Sequence, residues 1–372
     1  MNIPLVDLQA QYRSIRSEVE AALGGVLERS DFILGRSVSE FEAAFAAFVG
    51  VRHCIGVASG TDALWLSLRA LEVKAGDKVL LPANTFIATA LAVSYVGATP
   101  VLVDIDPATH TIDVRCARRA LEPGVKAIIP VHLYGQPADM DGVLDLARGE
   151  GLIVLEDAAQ AHGAIHRSGR CGSFGAAAGF SFYPSKNLGA YGDGGAICTN
   201  DQALADRLQR LRNWGSTVKY IHPEKGLNSR LDTLQAAVLT IKLRHLTAWN
   251  ARRREIAGWY REALEPLGDD IELPSEAAAT VEHVYHLYVV RVRRADRDAT
   301  LRRLQAAGVG ASIHYPVPIH LQVAYADLGH RAGSFPGTEE AAKQILSLPI
   351  YPEMTQEHVH TVATALGKAL LS

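Results

Sequence analysis

The sequence predicts an α/β protein: a large domain built on a mostly parallel, mixed sheet, followed by a smaller α/β domain. Two observations carry this expectation. Over the first two-thirds of the 372 residues, short continuous apolar runs alternate with helical patterns. Such runs are the pattern of strands buried on both faces between crossover helices. Beyond about Asp232 that texture gives way to one long helical stretch and then to mixed strand and helix signals. The large domain is expected at residues 1–245, including an N-terminal segment, and the small one at 246–372.

The elements follow in order. "SDFILGRSVSEFEAAFAAFVG" reads as a turn entering a helix, with Phe41, Phe45 and Phe48 as core. "HCIGVAS" is a short apolar strand, and "TDALWLSLRAL" a helix with Ala63, Leu64, Ser67, Leu68 and Leu71 on one face. "KVLLPAN" is a strand, "TFIATALAVSYVG" a helix ending at Gly97, and "TPVLVDID" a strand. "VKAIIPVHLYG" and "GLIVLEDAA" repeat the theme around a helix near 139–148, and "GFSFYP" and "GAICTN" close the domain as further strands. "LDTLQAAVLTIKLRHLTAWNARRREIAGWYREAL" is a helix that leaves the first domain. The second domain then reads "HVYHLYVVRV" (strand), "RDATLRRLQAAG" (helix), "VGASIHYP" (strand) and a C-terminal helix over 356–370.

Composition narrows the class of protein. With 48% hydrophobic residues there is ample material for a core. A formal net charge of −3 leaves no electrostatic footprint for nucleic acid or an acidic membrane surface. The first residues, "MNIPLVDLQAQYRS", lack the basic-then-apolar layout of a signal peptide, and no apolar run approaches a bilayer span, so a cytoplasmic globular protein is expected. Cys54, Cys116, Cys171 and Cys198 lie too far apart for a paired motif, with Cys54 and Cys198 read as strand core. His358 and His360 stand at i, i+2 on a helix and point apart, so no metal site is expected.

Ligands of open α/β sheets bind beyond the carboxyl ends of the strands. Three polar segments fall at such ends. In "VASGTDAL", Ser59, Gly60 and Thr61 open a helix and offer amides and hydroxyls to an anion; an ordinary N-cap has the same appearance. In "LIVLEDAAQAHG", Asp157 follows a buried strand with Gln160 three residues on, either as a cap or as the partner of a cationic ligand atom. In "SFYPSKN", Ser181 and Lys186 stand five apart, and the lysine is either a solvated side chain or a Schiff-base amine. A phosphate cradle, a strand-end aspartate and a later lysine together suit pyridoxal phosphate, whose ring nitrogen the carboxylate keeps protonated. No dinucleotide fingerprint, P-loop or nucleophile-elbow motif occurs in the chain.

The ordered set "SGTDAL", "PANTFIATALAV", "EDAAQAHG", "SFYPSKNLGAYGDGGA" and "GLNSRLDTLQAA" resembles the DegT/DnrJ/EryC1/StrS family of PLP-dependent sugar aminotransferases, along essentially the whole chain. The resemblance implies the PLP-dependent transferase fold type I (aspartate aminotransferase-like), a homodimer with composite active sites, and pyridoxal 5'-phosphate as cofactor. It implies Lys186 as the cofactor-bearing lysine and proton shuttle, Asp157 at the pyridine nitrogen, and Gln160 near the ring hydroxyl. Gly60, Thr61 and Ser181, with Ser59, would hold the phosphate, Phe86 would stack on the ring, and Asn228 would reach the neighbouring subunit's phosphate. Family members with histidine in place of the lysine are dehydratases; this chain keeps Lys186.

The implied substrates are an amino-acid donor, L-glutamate, and a nucleotide-linked keto sugar. "SIHYPVPIHLQVAY" resembles the segment of enzymes that aminate the third carbon of dTDP-3-keto-6-deoxyhexoses, with His314, Tyr315 and His320 as substrate-side groups or packing residues. Tyr183, Lys219 and Tyr220 join them by neighbourhood, and the loop at 31–37 is expected near the entrance. A 4-keto nucleotide sugar, a UDP-3-keto uronic acid, an inositol ketone and a non-catalytic regulatory role are the alternatives.

Overall fold

The computed structural model describes residues 2–371. β1 (His53–Val57), β2 (Lys78–Pro82), β3 (Thr99–Val103) and β4 (Val125–Ile128) are each followed by a helix: Gly60–Ala70, Ile87–Tyr95, Val114–Arg119 and Met140–Glu150. β5 (Ile153–Asp157) leads instead into the small hairpin of β6 (Ile165–His166) and β7 (Gly169–Arg170), then into β8 (Ala177–Ser181) and β9 (Gly195–Thr199). The seven-stranded sheet has the order β1-β9-β8-β5-β4-β2-β3, and β9 alone runs against its neighbours. The sheet is therefore mixed and mostly parallel.

Both faces are covered, as the apolar runs require. Along β2, Val79 and Leu81 enter a core with Leu64, Leu68, Val93 and Leu208, while Leu80 between them enters another with Met140 and Val143. Alternation of side chains across the strand produces this split. Phe41 and Phe45 pack with Phe180 and Phe182 at ring separations of 5.0 to 5.4 Å, and Phe48 lies at their margin. Edge-on aromatic pairs of this kind contribute about 0.5–1.5 kcal/mol each beyond area burial. Cys54 and Cys198 are buried register partners on β1 and β9.

The helix Thr233–Leu264 joins two cores: Leu239 and Leu246 pack with the phenylalanines, whereas Ile256, Tyr260 and Leu264 pack in a second cluster. That second cluster surrounds an antiparallel sheet of β10 (Ile271–Glu272), β12 (Tyr288–Val292) and β13 (Ile345–Leu348). β11 (Thr280–Glu282) pairs with β6 instead. Ile3 bridges to Val309 and is buried in the second core, so the first residues pack there. Two expected strands differ. In "HVYHLYVVRV" the ladder begins only at Tyr288, because Val284 and Leu287 donate to the carbonyls of Gly135 and Tyr134 in the turn that follows β4. "VGASIHYP" makes isolated bridges only, Val309 to Ile3 and Ser312 to Ser347; successive residues pair with different segments, so no ladder builds. Among the described residues, no helix is long and apolar enough to cross a membrane, and no His/Cys/Asp/Glu group could hold a metal ion.

Candidate active site

The ends of β5, β8 and β1 coincide, since Asp157 is in register with Gly179, and Gly195 with both Ser181 and Val57. A cavity of about 500 Å³ opens at this edge. It brings together Ser59, Gly60, Thr61, Phe86, Asp157, Gln160, Ser181, Tyr183, Lys186, His314 and Tyr315. The other expected residues lie elsewhere. Asn228 is exposed and bridged to Asn213, and Tyr220 is 81% exposed with the Lys219 amine 5.2 Å from its ring centroid. His320, read as a substrate-side group or a packing residue, lies outside this cavity in a packed position. Its ring is 2% exposed and sits edge-on to Phe335, and its Nε2 is 3.0 Å from Glu339 Oε1.

Ser59 caps the Gly60–Ala70 helix by accepting from the Asp62 amide at 3.0 Å. The first amides of a helix have no intrahelical partner, so those of Gly60 and Thr61 stay available at the positive end of the helix. The glycines here are steric necessities. A Cβ on Gly60 would lie 2.6 Å from Ser181 Cβ, and one on Gly195 would lie 2.3 Å from the Ser59 carbonyl oxygen. Ser181 is thereby brought against the helix start, completing a cluster of hydroxyl and amide donors.

Asp157 is buried, which raises its carboxyl above the usual range; a 2.7 Å bond from Thr89 Oγ1 and the Ala159 amide oppose that shift. Thr85 Oγ1 lies 2.8 Å from Thr89 Oγ1. On the opposite face of β5, Glu156 accepts from the amides of Gly172, Phe174 and Gly175 at 2.7 to 2.9 Å and from His132 Nε2 at 3.0 Å. Its ring partner is neutral, because His132 Nδ1 accepts the Ala138 amide at 3.0 Å. The strand is so pinned that Asp157 faces the cavity.

Burial lowers the Lys186 amine from 10.5 to about 8, with Asp157 opposing. The histidines around it are neutral: burial, then the Lys186 charge, lowers His162 to about 3 and His314 to about 4, and His286 falls well below its usual value. Gln160 accepts the Tyr134 amide at 2.7 Å and donates to Tyr315 Oη at 3.1 Å, and the Tyr315 ring lies 5.4 Å from that of Phe86 at 38°. Thr85, Thr89, Tyr134 and His286 escaped the sequence reading. Only the threonines left a signal, four apart at a helix start, where their hydroxyls meet.

The chain belongs to the DegT/DnrJ/EryC1/StrS aminotransferase family, whose model matches residues 13–367. Its fold is the aspartate aminotransferase-like type I fold. It is 50% identical over 365 residues to the erythromycin biosynthesis sensory transduction protein EryC1 of Saccharopolyspora erythraea, covering 98% of this chain and 99% of that one. It is 48% identical over 364 residues to dTDP-3-amino-3,4,6-trideoxy-alpha-D-glucose transaminase of Streptomyces venezuelae, covering 98% and 95%. The crystal structure of S. venezuelae DesV in complex with a ketimine intermediate superposes with a TM-score of 0.96 at 47% identity, covering 100% of this chain and 99% of that one.

Proposed function

We propose that this protein is a cytoplasmic, pyridoxal phosphate-dependent aminotransferase that moves an amino group from L-glutamate to the 3-keto group of a dTDP-3-keto-6-deoxyhexose. The observation that carries the reading is one cavity holding a lysine amine lowered to about 8, a buried carboxyl and an open helix N-terminus. The donor set suits the cofactor. The amides of Gly60 and Thr61, with the hydroxyls of Ser59, Thr61 and Ser181, suit a phosphate monoester, and the space a Cβ on Gly60 would fill is what lets Ser181 join them. Asp157 suits a protonated pyridine nitrogen, Gln160 the ring hydroxyl, and Phe86 the ring face.

When bound, the cofactor supplies the electron sink that lets an amino group leave one carbon and join another. Lys186 Nζ, deprotonated in part near neutral pH, removes the proton from the donor's α-carbon and later delivers one to the sugar carbon that receives the amine. Asp157, oriented by Thr89 and Ala159, keeps a positive charge at the ring nitrogen. The neutral imidazoles of His162, His286 and His314 surround the amine without competing for a positive charge. Tyr183, His314 and Tyr315 line the same cavity and are placed to meet the sugar. A second copy of the chain would bring Asn228 to the phosphate, with Lys219 and Tyr220 at the entrance; the exposed Trp214, whose amide bonds the Leu227 carbonyl next to Asn228, supports such an interface. The third-carbon position is supported by the S. venezuelae relative, named for a 3-amino sugar.

The test is to load the protein with pyridoxal phosphate, reduce with borohydride and sequence the modified peptide by mass spectrometry. Modification at Lys186, erased beforehand by L-glutamate, is the expected result. A protein that takes up no pyridoxal phosphate, or carries it on another residue, contradicts the reading.

A further inference from the structure

The loop that carries Lys186 is held from behind by one face of the Thr233–Leu264 helix. Lys242 Nζ donates to the Gly189 carbonyl at 2.7 Å. Gln235 Oε1 accepts the Tyr191 amide at 2.8 Å, and its Nε2 reaches the Tyr191 carbonyl at 3.4 Å. Asn250 Oδ1 accepts from Asn187 Nδ2 at 2.9 Å, and the same Asn187 group also donates to the Val284 carbonyl at 2.9 Å. Positions 235, 242 and 250 are seven and eight residues apart, which at 3.6 residues per turn places them on one side of the helix. They grip alternate residues of the loop, 187, 189 and 191, directly after the lysine.

Lys242 is the unusual member. A lysine on a long helix ordinarily reaches solvent, yet this one is 0% exposed, with its amine also 4.1 Å from the Tyr191 ring centroid. Burying an amine is unfavourable unless it is bonded, and the Gly189 carbonyl accepts from it. Either protonation state can donate to that carbonyl, so the tether does not depend on the charge. Asn250 Nδ2 donates in turn to the His162 carbonyl at 2.8 Å, which ties the helix to the segment following Asp157.

We infer that Gln235, Lys242 and Asn250 form a clamp that fixes the lysine loop, making them positioning residues for Lys186 rather than general packing. The inference rests on the reading of Lys186 as the cofactor-bearing amine. A loose loop leaves the amine in its cavity but spreads its positions, so attack on an aldehyde held at the phosphate cradle slows.

The test follows capture of pyridoxal phosphate by the full-length, cofactor-free protein, quenched with borohydride at short times, with label at Lys186 counted by peptide mass spectrometry. A parallel arm follows hydrogen exchange of the amides at 186–191 without cofactor. Lys242→Met, which keeps the stem and removes the donor, is expected to slow labelling about tenfold, the effect of losing one such bond. Its amides at 186–191 are expected to exchange faster while those of β5 and β8 stay protected. Gln235→Leu is expected to act in the same direction, and Gln235→Glu, which keeps the Tyr191 acceptor, to label close to the wild-type rate. Wild-type labelling rates in both Lys242→Met and Gln235→Leu overturn the clamp. If Lys242→Met loses protection throughout, the Gln235 pair decides: equal rates for Leu and Glu overturn the proposal, and slowing confined to Leu supports it. Absence of label in the wild-type protein overturns the cofactor reading instead, and the exchange arm still decides the clamp.

Discussion

Replacing Lys186 with methionine should stabilise the cofactor-free protein near neutral pH. The amine falls from 10.5 to about 8 because burial disfavours its charge. At 1.36 kcal/mol for each pKa step, that difference is about 3 kcal/mol, and water entering the open cavity trims it to about 2–3 kcal/mol. The sign follows from proton counting. Between the two values the unfolded chain holds a proton on this lysine that the folded chain has lost, so stability rises with pH across that interval. Below about pH 8 the folded protein carries the full penalty, and above about 10.5 the lysine is neutral in both states and the penalty is gone. Methionine has a similar stem and no charge, so the variant-minus-wild-type difference isolates this one group. The neighbouring groups titrate outside the interval: burial holds His162 and His314 at about 3 and about 4, and pushes the phenols of Tyr134 and Tyr315 upward. Urea unfolding of both proteins at pH 7 and at pH 10.5 measures the effect. Lys186→Met should be the more stable by about 2–3 kcal/mol at pH 7, with most of the pH-dependent advantage lost at pH 10.5. A difference that does not change between the two pH values would refute the claim that the cavity depresses this amine.

Thr89→Val removes the hydroxyl that donates to Asp157 at 2.7 Å. Bonds to charged groups contribute about 1.5–3 kcal/mol, so kcat/KM in steady-state transamination should fall by roughly ten- to a hundredfold, with the carboxyl moving further upward. Gly60→Ala places a Cβ 2.6 Å from Ser181 Cβ. It should cost about 1–3 kcal/mol of stability by overpacking and, in a pyridoxal phosphate titration, weaken binding more than Ser59→Ala does. Glu156→Gln leaves the backbone donors of 172–175 facing an amide that cannot accept from all of them. Its urea midpoint should drop by the equivalent of about 1–3 kcal/mol, the effect of leaving a buried donor without its acceptor.

The features legible in the sequence were those written locally. Ser59 before an apolar helical face, Asp157 at the end of an apolar run and Lys186 after a proline-stopped strand each carry their signal within a few residues, and all three meet in one cavity. The alternation of strands and helices likewise exposed the mixed, mostly parallel sheet. What escaped was decided by pairing across long separations. Glu156 looks like a stray charge in an apolar strand until the amides of 172–175 fold over it. His286 reads as strand, yet its segment leaves the ladder to bond Tyr134 and Gly135. His320 stood beside His314 in a polar segment and still ends in packing with Phe335, because the 3₁₀ turn at Ile319–Leu321 directs it to Glu339.

The most direct test of the whole account is a product analysis. The protein is loaded with pyridoxal phosphate and incubated with L-glutamate and a dTDP-3-keto-6-deoxyhexose, and the sugar is followed by mass spectrometry and NMR. The account predicts a new amine at the third carbon, formed with one 2-oxoglutarate per sugar, and no product from Lys186→Ala. A fully loaded wild-type protein that releases 2-oxoglutarate but leaves every nucleotide keto sugar offered to it unaminated would contradict it.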